Sequence, residues 1–505
     1  MLDIKQIIAK GEHSQFEAKK AAGGVPSSLW ESYSAFANTD GGVIVLGVEE
    51  QNKKLIVSGV SNAQQKRTDI WNTLNNRKKI SENVLMEKHI YIQQIDDKDI
   101  IVIEVPRADR HDKPVYINND VLGGTFRRNA EGDYRCTKQS VKAMLRDQSD
   151  LPIDSAFFEE LTWEDLDKDC IRRYRNRFAS LKPAHAWNEL DTIEFLKKAG
   201  AVRRTEKGVF SPTLAGLVTF GTEDVITQIL PDYFLDFREI FDKNRWSDRV
   251  VSNLGEWSGN IFDFFFRIAE KLTAEVKRPF RMRNNWERED DTAIHKALRE
   301  ALANALIHAD YYGRQGIVIE KRRNEITISN PGTCRPPISE IIEGGVSDPR
   351  NPTIFKLFAM IDIGERAGSG FNTICTIWEE VGWHTPSLSQ KYDPERTLVE
   401  IPVEYEEENN YESIEKTESS ADKLNESTEK TVEKTVEKTV EKTVEKTVEK
   451  ILSIISDNPK ITQTELAEIT GLKRRGVEWN LEQLKAKNSI KRVNGRKHGY
   501  WEIIQ

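Results

Sequence analysis

The chain has 505 residues with a net charge of −8, too long for a single hydrophobic core, so about three or four domains joined by linkers are expected. No apolar run approaches the roughly 20 residues that cross a bilayer, and the opening MLDIKQIIAKGEHSQ lacks the apolar stretch and cleavage site of a signal peptide; a cytoplasmic protein with no membrane partner is expected. Cys136, Cys170, Cys334 and Cys375 lie far apart without CxxC spacing, which argues against a zinc site or a disulfide framework.

The expected fold class is α+β and multidomain. The first unit covers residues 1–148. Ser28 to Ala37 has helical periodicity, Asp40-Gly41-Gly42 supplies a stop and a turn, and Val43 to Val48 is a buried strand. HIYIQQI and IIVIEVP are strand-like, and KQSVKAMLRDQ closes the unit as a helix.

Near its start, EHSQFEAK presents Glu12, Glu17 and Lys19, and Glu50 follows a GV strand. Carboxylates gathered in this way hold a divalent ion, magnesium or manganese, which polarises a phosphodiester and supplies hydroxide. The competing reading is a solvated charged edge. These segments resemble the Schlafen AlbA-like domain over about residues 5–140. The resemblance implies binding of DNA, with RNA as an alternative, and Glu12, Glu17 and Glu50 match the carboxylate triad of the nuclease members. Schlafen cores pair two such lobes and this chain has one, so a homodimer or higher oligomer is expected.

Residues 149–290 read as a connecting region, with a short helix in GVFSPTLAGLVTFG punctuated by Pro212 and Gly216. From 291 a long helix, TAIHKALREALANALIHADYY, leads into the strand candidates GIVIEKRR and EITISN and then glycine-rich turns, giving a second α/β unit over 291–404. Glu300 and Asn304 are spaced i, i+4 and share one helical face, with His308 one turn further. A carboxylate and an amide so placed activate a water and help hold magnesium against bound phosphates. The turn in ISNPG and the run GERAGSGF offer small residues whose backbone amides approach phosphate closely.

In this order and spacing these segments resemble the GHKL-type ATPase fold, an α/β sandwich, and most closely its RecG-C-terminal-like variant. The resemblance implies ATP with magnesium, Glu300 as the water-activating base, Asn304 as the magnesium ligand, and Gly332, Gly368 and Gly370 in the nucleotide-facing turns. Asn330 stands where the family has an adenine-binding aspartate, a departure that bears on base selectivity. The alternative is that Glu300 makes a surface ion pair and Asn304 caps a turn. A helicase motor is not expected, because no GxxxxGK[ST] loop occurs.

Residues 405–450 form a linker. Its first part is acidic, and from Thr431 to Lys450 it repeats TVEK five times. A period of four drifts around a 3.6-residue helix, so the valines make no stripe and build no core. Residues 451–505 form a separate domain, with nine Lys or Arg against two acids between 471 and 498. Three helices, then IKRVN and GYWEI flanking the turn NGRKH, resemble the winged helix-turn-helix family. By that resemblance Arg474, Arg475, Asn480 and Gln483 on the third helix, with Arg496 and Lys497 on the wing, would meet DNA. Winged helices also dock proteins, which is the competing reading.

Overall fold

The computed structural model describes residues 3–21, 23–51, 54–241, 246–274, 276, 292–364 and 370–404, and near the C-terminus 454–456, 458, 459, 461, 462, 465, 466, 481, 484, 490–493 and 500–503. The chain divides into two compact units, Met1–Glu406 and Glu407–Gln505.

The first unit begins with α1 (Ile4–Lys10), β1 (Phe16–Lys19), α2 (Leu29–Asn38), β2 (Gly42–Leu46), β3 (Val48–Gln51), β4 (Lys54–Val57) and α3 (Ala63–Leu74). It continues through β5 (Ile90–Ile95), β6 (Lys98–Val105), β7 (Phe126–Asn129), β8 (Gly132–Arg135) and α4 (Lys138–Gln148). Four strands form a sheet in the order β1-β2-β6-β5, with β1 parallel to β2 and the other neighbours antiparallel. The run Ile100–Ile103 is apolar without alternation because both faces of the sheet are covered. Ile101 and Ile103 join a core with Phe36 of α2, while Ile100 and Val102 join another with Phe16 and Val45. The helices expected at Ser28–Ala37 and over KQSVKAMLRDQ are α2 and α4.

Next come α5 (Lys168–Leu181), α6 (Thr192–Ala199), β9 (Val202–Arg204), β10 (Phe210–Pro212), α7 (Leu214–Phe220), α8 (Glu223–Ile229), β11 (Leu235–Ile240), β12 (Asp248–Val251) and α9 (Ile261–Thr273). They are followed by α10 (Ala293–His308), β13 (Ile317–Arg322), β14 (Glu325–Pro331), α11 (Ile338–Glu343), α12 (Pro352–Met360), α13 (Gly370–Glu380), β15 (Ser387–Tyr392) and β16 (Glu395–Pro402). A six-stranded sheet has the order β12-β11-β13-β14-β16-β15. Only β11 and β13 pair in parallel, from Leu235↔Ile317 to Ile240↔Arg322.

This sheet crosses the boundary drawn at residue 290 from the sequence. Two of its strands and the helix α9, which packs on α10, come from the stretch read as a connecting region. One hydrophobic core runs from Leu161 to Val403. The stretch is therefore continuous with the second α/β unit, because β11 supplies the parallel neighbour that β13 needs.

In the second unit β17 (Ile490–Val493) and β18 (Tyr500–Ile503) pair antiparallel, where the two wing strands were expected. Ile455, Ile461, Leu466, Leu481, Leu484 and Trp501 form its core. The TVEK repeat lies outside the described residues. Among the described residues, no helix is long and apolar enough to cross a membrane.

Candidate functional site

The helix α10 owes its orientation to its apolar positions. Ile294, Leu298, Leu302 and Leu306 recur at helical spacing and are buried, as are Ala297, Ala301 and Ala305. Glu300 and Asn304 remain half-buried on the side that meets α13. Asn304 Nδ2 donates to Glu300 Oε1 at 3.2 Å, so the i, i+4 pair is formed as expected. A Cβ at Gly370 would lie 2.8 Å from Asn304 Nδ2 and 3.3 Å from Glu300 Oε1, so any larger residue at the start of α13 would have to push this pair aside.

Beside Glu300 and Gly370 opens a cleft of about 890 Å³, lined also by Phe265 and Phe266 of α9 and by Lys296 and Arg299 of α10; Asn304 is not in its lining. Arg177 of α5 stacks over the Phe266 ring at 4.6 Å. The cleft thus combines cations, aromatic faces and the Glu300 carboxylate, which Asn304 orients from behind, a set that suits an anionic ligand carrying a flat ring together with a hard cation. Neither Phe265 nor Phe266 was singled out from the sequence. The signal available was the apolar run IFDFFF at the start of α9.

Asn330 and Gly332 are not in this cleft. Asn330 is buried in β14 opposite Thr397, and its Nδ2 donates to Pro331 O at 3.3 Å. Gly332 has φ +91 and donates its backbone N–H to Glu395 O at 3.1 Å. A Cβ there would fall 2.4 Å from Arg350 Nη1, so the turn in ISNPG is closed by a guanidinium. Gly368 lies outside the described residues. Of the expected nucleotide residues, the structure brings together Glu300, Asn304 and Gly370.

Arg350, which the sequence reading passed over, ties the two halves of the first unit together. It is 4% exposed. Its Nε and Nη2 donate to the two carboxylate oxygens of Asp147 in α4, at 3.0 and 2.8 Å. Further bonds run to His308 O at 2.7 Å, at the end of α10, and to Thr333 O at 2.9 Å. Asn351 completes this cap by donating to Ile307 O and Ala309 O at 2.8 and 2.7 Å. Burial, reinforced by Arg350 and Arg335, pushes the His308 imidazole down to about 4, so His308 is neutral at neutral pH.

The N-terminal carboxylates do not assemble as the triad predicted. Glu17 pairs with Lys19 at 2.9 Å and with Arg128 at 2.8 Å. Arg128 is buried over the Phe36 ring and also pairs with Asp133 at 2.9 Å. Glu12 accepts the backbone N–H of Ala18 at 2.9 Å, and burial pushes its carboxyl up. Glu50 is exposed on β3. Among the described residues only Asp167, Cys170 and Asp263 bring three potential ligand atoms within 4.8 Å of one another, so Glu12, Glu17 and Glu50 form no such cluster. The reason is electrostatic: Glu17 already serves as counter-ion to a buried arginine.

The Asp167–Cys170–Asp263 group is itself committed to the fold. Asp167 caps α5 by accepting from Asp169 N and Cys170 N, and Asp263 accepts from Arg173 and from Ser258 Oγ at 2.8 and 2.6 Å. Burial pushes the Cys170 thiol up, away from the thiolate that ligates metals. Replacing Glu17 with Gln is therefore expected to lower stability by about 1–3 kcal/mol, through Arg128, and to leave any action on nucleic acid unchanged. Urea denaturation beside a cleavage assay with manganese checks this; loss of cleavage at unchanged stability would contradict it.

The tail residues Arg474, Arg475, Asn480, Gln483, Arg496 and Lys497 lie outside the described residues. What the structure gives there is the hairpin of β17 and β18 on its small core.

Four stretches match family models. Residues 2–137 match the family described as "Schlafen, AlbA_2", and residues 445–491 match "Winged helix-turn-helix DNA-binding". Residues 315–397 match "Putative ATP-dependent DNA helicase recG C-terminal", a stretch that begins after α10, and residues 142–236 match a domain of unknown function. The fold is accordingly α+β and multidomain, with AlbA-like, ATPase-like and winged-helix parts. No curated protein matches the chain. Among solved structures, the DIP2311 protein from Corynebacterium diphtheriae is 16% identical with a TM-score of 0.40, over 97% of this chain and 92% of its own. The N-terminal domain of a RecG-related protein from Nitrosomonas europaea is 27% identical with a TM-score of 0.20, over 25% of this chain and 84% of its own.

Proposed function

We propose that this chain is an ATP-binding and DNA-binding protein of the cytoplasm, a transcriptional regulator whose hold on DNA is set by nucleotide in the cleft at Glu300, Asn304 and Gly370. One observation carries the reading: a carboxylate and an amide hydrogen-bonded at 3.2 Å, with the start of a helix packed closely against them at Gly370. In this reading Asn304 would hold magnesium and Glu300 would orient a water toward the terminal phosphate. Bound magnesium would neutralise phosphate charge. Lys296 and Arg299 oppose the remaining phosphate charge, and the aromatic side of the cleft receives the base. Asn330 and Gly332 are left to shape their own turn.

The DNA contact falls to the tail. Its nine cations between 471 and 498 stand against two acids, the local excess that phosphate binding requires in a chain of net charge −8. Glu12, Glu17 and Glu50 are given no metal here, since Glu17 is engaged by Arg128. Pairing of two copies through the AlbA-like part belongs to the same reading, and the mass in solution checks it. A gel shift with duplex DNA tests the whole. The intact chain should retain duplex, and Arg474→Ala with Arg475→Ala should weaken retention and lower its salt dependence. Failure to retain any duplex at low salt would overturn the reading.

A further inference from the structure

The junction between the AlbA-like part and the six-stranded sheet is built from charge. Arg110 pairs with Asp348 at 2.8 Å, Arg335 with Asp147 at 3.0 Å, and Arg127 with Glu395. Within it lies a recess of about 30 Å³ whose lining holds five cations, Arg107, Arg110, Lys113, Arg127 and Arg335, against two carboxylates, Asp147 and Glu395.

Three of those cations are incompletely matched. Lys113 is 8% exposed, and among the described residues it has no carboxylate within ion-pair distance; its Nζ donates to Asn38 O at 3.2 Å. Arg107 donates through Nη2 to the backbone oxygens of Cys334 and Arg335, while its buried Nη1 reaches Asp40 only at 3.7 Å and makes no hydrogen bond. Arg127, 7% exposed, likewise leaves its buried Nε without a hydrogen bond inside the chain. Buried donors and charges without partners cost free energy and are normally satisfied by water or an ion.

We infer that this recess binds a single small inorganic anion of halide size, held between Lys113, Arg107 and Arg127, which fastens the AlbA-like part to the sheet. At about 30 Å³ the recess has room for a species of one or two water molecules' size, which excludes a nucleotide or polynucleotide phosphate chain. Burial first, then Arg107 and Arg127, pull the pKa of the Lys113 amine down, which is the electrostatic stress a bound anion would relieve. The site is independent of the nucleotide cleft, and neither proposal depends on the other.

Melting of the full chain in chloride titrated against gluconate at constant ionic strength tests this. A ligand that binds only the folded state should raise Tm with the logarithm of its concentration above its dissociation constant, by roughly 3–5 °C at about 100 times that constant for a unit of this size. Lys113→Met removes the unmatched charge, orphans no carboxylate, and should abolish the rise. No chloride-dependent rise in the wild type, or the same rise in Lys113→Met, would overturn the proposal. As a check that needs no variant, crystals of the wild type soaked in bromide should give an anomalous peak within contact of Lys113 Nζ and Arg127 Nε; a recess without that peak would refute the site.

Discussion

Replacing Arg350 with Met should destabilise the first unit by about 3–5 kcal/mol, the usual cost of removing one partner of a buried ion pair. The size follows from what is stranded. Asp147 would lose its bidentate partner and keep Arg335, while His308 O and Thr333 O would lose their donors at once. Urea denaturation of wild type, Arg350→Met, Asp147→Asn and the double variant measures it. The double variant should cost clearly less than the sum of the two singles, because the second change removes the charge that the first left unpaired.

A pH dependence accompanies this. Burial works against the ionised form of Asp147, but Arg350 and then Arg335 outweigh it and hold the carboxyl below its ordinary value of 3.8. A depressed carboxylate contributes its full stabilisation above the ordinary value and loses it as pH falls toward the folded one. The stability gap between wild type and Arg350→Met should therefore be constant near neutrality and shrink as pH is lowered below about 4.

The second large effect concerns the cleft. Asn304→Ala should weaken magnesium-dependent ATP binding by at least about tenfold, or 1.4 kcal/mol. The amide is the group assigned to the metal, and its loss also frees Glu300 from the 3.2 Å hydrogen bond that orients it. Glu300→Gln keeps the shape and should leave binding nearly intact while lowering any hydrolysis by about 10²-fold or more, as expected of a general base. A fluorescent ATP analogue titrated with and without magnesium separates the two. If Asn304→Ala lowers Tm but binds the analogue as the wild type does, the amide serves packing alone.

How far the sequence carried depended on the range of the interaction. Glu300 and Asn304 were legible because helical spacing decides which side chains share a face, and α10 has an unmistakable apolar stripe. The wing strands were legible for the same local reason, alternation around a polar turn. β11 was not. LDFREI is interrupted by Asp236, which is buried and satisfied by Arg238 and by Arg249, so the strand carries charge where pattern reading expects apolar residues.

Long-range pairing explains the other differences. The spacing of Glu12, Glu17 and Glu50 gave no hint that Arg128 occupies Glu17. Nor did ISNPG reveal that Arg350, anchored to a residue 203 positions away, closes its turn. In both cases a motif of the right residues sits in a fold that has put a guanidinium against it. At α10, by contrast, the i, i+4 pair of Glu300 and Asn304 stands as helical spacing places it, with Gly370 of α13 against it.

The account rests on coupling between the cleft and the tail, and one measurement addresses it directly: binding isotherms for duplex DNA at fixed salt, with and without magnesium-ATP, for the wild type and Asn304→Ala. The account predicts a nucleotide-dependent shift of at least about fivefold in the wild-type dissociation constant, the lower end of allosteric coupling, and none in Asn304→Ala. Superimposable wild-type isotherms, under conditions where ATP is demonstrably bound, would contradict it.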